Sequence, residues 1–211
     1  MKTDDLINML AQNVEPMERP RWARRMAMTL VLGLIAAGLL VLAVFGMRPN
    51  IGTSMSWVLI KAAFSALAAA VMLPLVMRLM RPGRPLGWRV GAALVFVAIC
   101  ALVTFIALMG QPTEARMHAW TGGFFPWCII FIPLLAAPTA AGLVWVMRGL
   151  APTRLTLSGA AIGALSGGVG AMAYAMYCPV DSVAFVTTWY VVGIAISAAA
   201  GALIGSKVLR W

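Results

Sequence analysis

Charge is what this sequence has least of. Only 10% of its residues are charged, where a soluble domain carries about a quarter, and acids are the scarcest, six in 211 residues. There is one histidine, His118, and there are three cysteines, Cys100, Cys128 and Cys178, with no C-x-x-C pair among them. Neither a zinc ribbon nor a thioredoxin-type redox motif is therefore supported. No nucleophile has a base beside it, the apolar runs hold no paired carboxylates, and no glycine loop is built to cradle phosphate. Gly122-Gly123 and Gly167-Gly168 lack the strand-to-helix setting of a dinucleotide site. Hydrolytic and transfer chemistry have almost no raw material here, which points away from an enzyme.

Apolar residues fill the space, at 63% of the chain. Six runs are long enough to cross a bilayer, at about 26–46, 57–77, 88–109, 127–147, 155–176 and 183–206. The first is of full spanning length and follows an acidic segment, unlike the shorter core of a cleaved signal peptide. The net charge of +10 sits in clusters between these runs, the pattern of membrane topology and not of a nucleic-acid face. Lys2, Arg19, Arg21, Arg24, Arg25, Arg78, Arg81, Arg84, Arg89, Arg148, Arg154, Lys207 and Arg210 fall on one side, against Arg48 and Arg116 on the other. By the positive-inside rule the sequence predicts an all-α polytopic membrane protein with six transmembrane helices and both termini cytoplasmic. Lys61 falls just inside the second span, where its ammonium is expected to snorkel to the surface. Trp22, Trp57, Trp88, Trp127, Trp145 and Trp211 lie near span ends, as interfacial tryptophans do.

Two divisions follow: a cytoplasmic amphipathic segment over 1–20 and a six-helix transmembrane domain over 21–211. The segment holds Asp4, Asp5, Glu15 and Glu18, four of the six acids. Thr3 suits a helix N-cap, and Asp4 and Asp5 suit the first turn. Leu6, Ile7, Leu10 and Val14 share one face before Pro16 and Pro20 intervene. Such a short helix is marginal alone; it reads equally as a tail on the membrane surface or as a helix that folds into a partner's groove. Within the last two spans Gly159, Gly163, Gly167, Ala171 and Ala175, and then Gly193, Ser197, Gly201 and Gly205, recur every four residues. That spacing predicts two helices packed backbone to backbone, with Cys178 at the tip of the hairpin.

Cys128 and Cys178 fall at the same, oxidising face, whereas mid-span Cys100 reads as a packing residue. The pair reads either as inert or as functional, through a disulfide or a metal ion. Asp181 and His118, with Met117 and Met176, are the other groups of that face that suit a soft or borderline ion such as copper or zinc. A small multi-pass metal or solute transporter is a second reading, weakened by the lack of charge within the spans. A quinone-linked thiol oxidoreductase is a third, weakened by the missing C-x-x-C.

Several short motifs, in order, resemble one family. The opening Met1-Lys2-Thr3-Asp4-Asp5-Leu6-Ile7, then Leu150-Ala151-Pro152-Thr153, the glycine-rich fifth span, Tyr177-Cys178-Pro179 through Phe185, and Trp189-Tyr190 are similar to the NrsF-like negative regulators of sigma-F-type extracytoplasmic-function sigma factors. The resemblance covers essentially the whole chain. It implies an anti-sigma factor of the bacterial inner membrane that binds a sigma factor through its N-terminal segment, here Leu6, Ile7, Leu10 and Val14. It implies no required cofactor and no direct contact with nucleic acid. The family's two functional cysteines correspond to Cys128 and Cys178, and the resemblance implies a response to metal stress, including chromate, cadmium or copper. Zinc binding and oxidation at the pair are the further signals that its donor chemistry suits. The chain departs from the family at Val180-Asp181, where an acid is expected directly after Cys-Pro.

Overall fold

The computed structural model describes residue 9, residues 19–46, residue 48, and residues 52–80, 86–123, 126–150 and 152–210. The expected partner-binding residues Leu6, Ile7, Leu10 and Val14 lie outside them. The described residues form helices α1 (Arg19–Val44), α2 (Met55–Leu79), α3 (Trp88–Met109), α4 (Thr113–Thr121), α5 (Trp127–Arg148), α6 (Leu155–Tyr174) and α7 (Val183–Val208), with no strand among them. Six of these, all but α4, are long and apolar enough to cross a membrane. In lipid a lone segment must satisfy every backbone amide within itself, and the helix does so. Apolar side chains such as Leu39, Leu94, Phe105, Leu134 and Leu203 consequently stand exposed on the outside of the bundle.

Each span lies where hydropathy places it, with differences at the ends. Helix α1 begins earlier than expected, at Arg19, and takes in Pro20; a proline in a first turn leaves no helical hydrogen bond unmade. The connection after α3 contains a short helix, α4, closed at Gly122 in a left-handed conformation (φ +59°). Helix α7 carries a π-helical turn at Val186–Tyr190.

The glycine-rich α6 is the axis of the bundle and the most buried of the six. It packs on α7 most extensively, and on α1, α2 and α5 as well. Its small residues permit this on several faces. Gly159 and Gly163 lie directly against the backbone carbonyls of Gly201 and Ser197, Gly168 meets Ala69 of α2, and Gly170 meets Ile132 and Ala136 of α5. Any side chain at these positions would have to occupy space held by a neighbouring helix. Cys100 is the buried residue of the otherwise lipid-facing α3.

Candidate functional site: a thiol pair beside a buried ion network

Polar groups gather at one end of the bundle, where α1 ends, α2 and α5 begin and α6 turns toward α7. Cys128 is the second residue of α5. Cys178 follows α6 by one turn, its amide donating to the Tyr174 carbonyl at 3.1 Å. Both are free thiols and both are buried. The structure brings them within hydrogen-bonding reach of each other. The Cys128 thiol also lies 3.5 Å from the Tyr174 hydroxyl. The buried hydroxyl of Tyr190, carried on the π-helical turn, faces Cys178 without a hydrogen bond of good geometry.

Aromatic rings close over the pair. Tyr174 stands 5.9 Å from Tyr190 and 6.1 Å from Tyr177, centroid to centroid. These are all three tyrosines of the chain. Phe131 of α5 sits 4.4 Å from Phe45, the residue that follows α1, and Phe45 in turn lies 4.9 Å from Tyr177. The end of α1 is thereby packed into the wall of the thiol site.

The short segment after Cys178 is held by charge. Asp181 takes a two-pronged ion pair from Arg48, at 2.9 and 2.8 Å. Its Oδ1 also accepts from the Lys61 ammonium at 2.8 Å, and the same ammonium donates to the Cys178 carbonyl at 2.9 Å. Lys61 is fully buried. The expectation that it snorkels to the surface is therefore corrected: three residues from α1's end, from α2 and from the Cys178 turn enclose one another. A buried ammonium is tolerated only when paired and hydrogen-bonded, and the Cys178 turn supplies both partners. The sequence held a clue in its scarcity of acids, since outside the N-terminal segment only Glu114 and Asp181 are acidic. Glu114 is exposed on α4, which leaves Asp181 for a cation inside an apolar span.

The electrostatics follow from these contacts. Arg48 bonding to Asp181 holds its carboxyl below the usual carboxylate range, and the same bond raises the guanidinium. The hydrogen bond from Cys128, assisted by the Lys61 charge, outweighs burial and draws the Cys178 thiol below the ordinary thiol range. Thiolate is the reactive and metal-binding form.

Of the other groups expected on this face, His118 and Met117 stand exposed on α4. Met176 is turned toward Gly38 of α1. Among the described residues no three His, Cys, Asp or Glu side chains are gathered to hold a metal ion. Two facing thiols are the donor type that a soft ion of low coordination number takes, and among the described residues the third and fourth ligands of a tetrahedral zinc site are not gathered around them.

Fold and site together define a six-helix membrane protein whose polar groups form a linked cluster at one end of the bundle. The sequence pattern of the NrsF family, described as negative regulator of sigma F, matches residues 10–211. Two curated relatives span the whole chain: the "Probable anti-sigma-F factor NrsF" of Azospira oryzae, 37% identical over 216 residues, and the "Anti-sigma-F factor NrsF" of Caulobacter vibrioides, 36% identical over 217. Each alignment covers 100% of both chains. No solved structure matches. The chain belongs to the NrsF family of negative regulators of sigma F, a family of regulators and not of enzymes.

Proposed function

We propose that this protein is an anti-sigma factor of the bacterial inner membrane. With both termini in the cytoplasm, it holds an extracytoplasmic-function sigma factor on residues 1–20 and releases it when a metal ion or an oxidant acts on Cys128 and Cys178. The observation that carries this reading is the pair of buried thiols in mutual reach, at the end of α1 farthest from the N-terminal segment. Support for the orientation comes from the thirteen basic residues that gather on one side of the spans. Support for the partner comes from the names of the two full-length relatives.

Two kinds of chemistry suit the site. A soft ion displaces both thiol protons and is held between the sulfurs. Alternatively, a two-electron oxidant takes two electrons and two protons from the thiols, leaving a disulfide. Either changes the separation of the sulfurs and so moves the Cys178 turn. To act as a signal, the moved state must bind the sigma factor more weakly, because only differential affinity shifts such an equilibrium.

The test is transcription from a promoter that depends on the sigma factor. Deleting residues 1–20 gives full transcription without inducer. Cys128→Ser and Cys178→Ser each leave transcription low when inducer is added. Unchanged repression after the deletion would remove the tail from the mechanism, and a normal response from both serine variants would make the cysteines structural.

A further inference from the structure

We infer that Lys61, with Asp181 and Arg48, is the coupling element that carries movement of the Cys178 turn to α1 and α2; the inference rests on the sensing role proposed for the cysteines. Among the described residues Lys61 is the charged residue buried within a span, and such a residue demands a reason. Its ammonium makes two bonds, to the Cys178 carbonyl at 2.9 Å and to Asp181 at 2.8 Å. It therefore grips both ends of the segment Cys178–Asp181 and fixes the turn that aims the Cys178 sulfur. Asp181 passes the connection on through its two bonds to Arg48, at 2.9 and 2.8 Å, four residues beyond the end of α1.

The rest of the turn is fixed to α4. The Ser182 hydroxyl donates to the Ala119 carbonyl at 2.7 Å, and the Val180 side chain packs over Gly122. Held on both sides, the turn cannot follow the Cys178 sulfur without shifting Lys61, Asp181 or both. A disulfide requires the sulfurs to close to about 2.05 Å, nearer than any hydrogen-bonded pair of thiols. Where the Cys178 backbone follows its sulfur, it moves the carbonyl that Lys61 holds. Strain at the thiols thus reaches α2 through Lys61 and α1 through Asp181 and Arg48. Helix α1 is the span that follows the N-terminal segment in the sequence. These three side chains are assigned as positioning residues, acting through the Cys178 turn and the end of α1.

Lys61→Met separates coupling from folding, because it removes the ammonium while leaving Asp181 its paired Arg48. The full-length chain, carrying its sigma factor in nanodiscs, is treated with diamide, which takes two electrons and two protons from the thiols and becomes the hydrazine. Disulfide formed and sigma factor released are measured on the same samples. Wild type is expected to release sigma factor in proportion to disulfide. Lys61→Met and Arg48→Gln are expected to retain it at rest and to form the disulfide within a few-fold of the wild-type rate, yet to release at least tenfold less per disulfide. Retention at rest is the readout that a merely structural lesion would not preserve. A Lys61→Met chain that releases as wild type does, or that releases before diamide is added, overturns the coupling role alone. A wild-type chain that forms the disulfide without release, or a response that survives in Cys128→Ser and Cys178→Ser, overturns the sensing role and the coupling with it.

Discussion

A carboxylate that answers two cations inside an apolar bundle cannot be removed without leaving a charge stranded. Asp181 is that carboxylate, and among the described residues fully buried Lys61 is paired with no other acid. Asp181→Asn is expected to cost about 3–5 kcal/mol, the range for breaking a buried pair by removing one partner. Lys61→Met is expected to cost less, since Asp181 then keeps Arg48. Reversible unfolding in detergent at pH 7 compares the two. The same bond gives the protein an acid limit. The folded pKa of Asp181 is lowered, so its stabilising contribution is present above the ordinary carboxylate value of about 4 and disappears as pH falls through the lowered one. The Asp181 contribution to melting temperature should be lost as pH falls below about 4, and that acid-side drop should be smaller in Asp181→Asn. The cysteines of this cluster were legible in the sequence, because topology placed Cys128 and Cys178 at the same face. The ion network was not, because a lysine near a span end has an easier outlet at the surface. Only the fold reveals that the Cys178 turn closes over Lys61 and blocks that outlet.

Among the elements, α6 and α7 are held by the absence of side chains. Substituting Gly163 by valine would drive carbon into the Ser197 carbonyl, which is backbone and cannot step aside. Overpacking of this kind costs about 1–3 kcal/mol where neighbours can adjust, and Gly163→Val is expected to reach at least the top of that range. Gly91→Ala is the control. It lies in α3 with nothing near an added carbon and is expected to be neutral or to stabilise by about 0.5–1 kcal/mol. A Gly163→Val melt matching wild type would contradict the close packing. The period of four at Gly159, Gly163 and Gly167 made this face readable in advance. The contacts of Gly168 with α2 and Gly170 with α5 escaped, because a period-four stripe reports one face of a helix and α6 uses several. Helix α4 escaped too. Nine residues within a polar stretch carry no apolar stripe, and its end depends on the left-handed conformation of Gly122. The π-helical turn that carries Tyr190 has no sequence signature at all.

At the scale of the molecule the thiol cluster lies at the end of α1 opposite Arg19, where the described part of that helix begins. Helix α1 has 26 residues, about 39 Å at 1.5 Å per residue, and its C-terminal end lies at the thiol site. Phe45 packs the far end of α1 against Phe131 and Tyr177 of the thiol site, and Arg48 ties it to Asp181. One continuous helix therefore connects the proposed sensor to the proposed sigma-binding segment. Coupling of this kind is a free energy between two sites and must appear as a change in affinity. The direct measurement is the dissociation constant of the sigma factor for the full-length chain in nanodiscs, once with Cys128 and Cys178 as thiols and once as the disulfide. The expected result is binding at least tenfold weaker to the disulfide form, with no difference between reducing and oxidising conditions in Cys178→Ser. Equal affinity of the two wild-type forms would contradict control of sigma binding by the thiol pair.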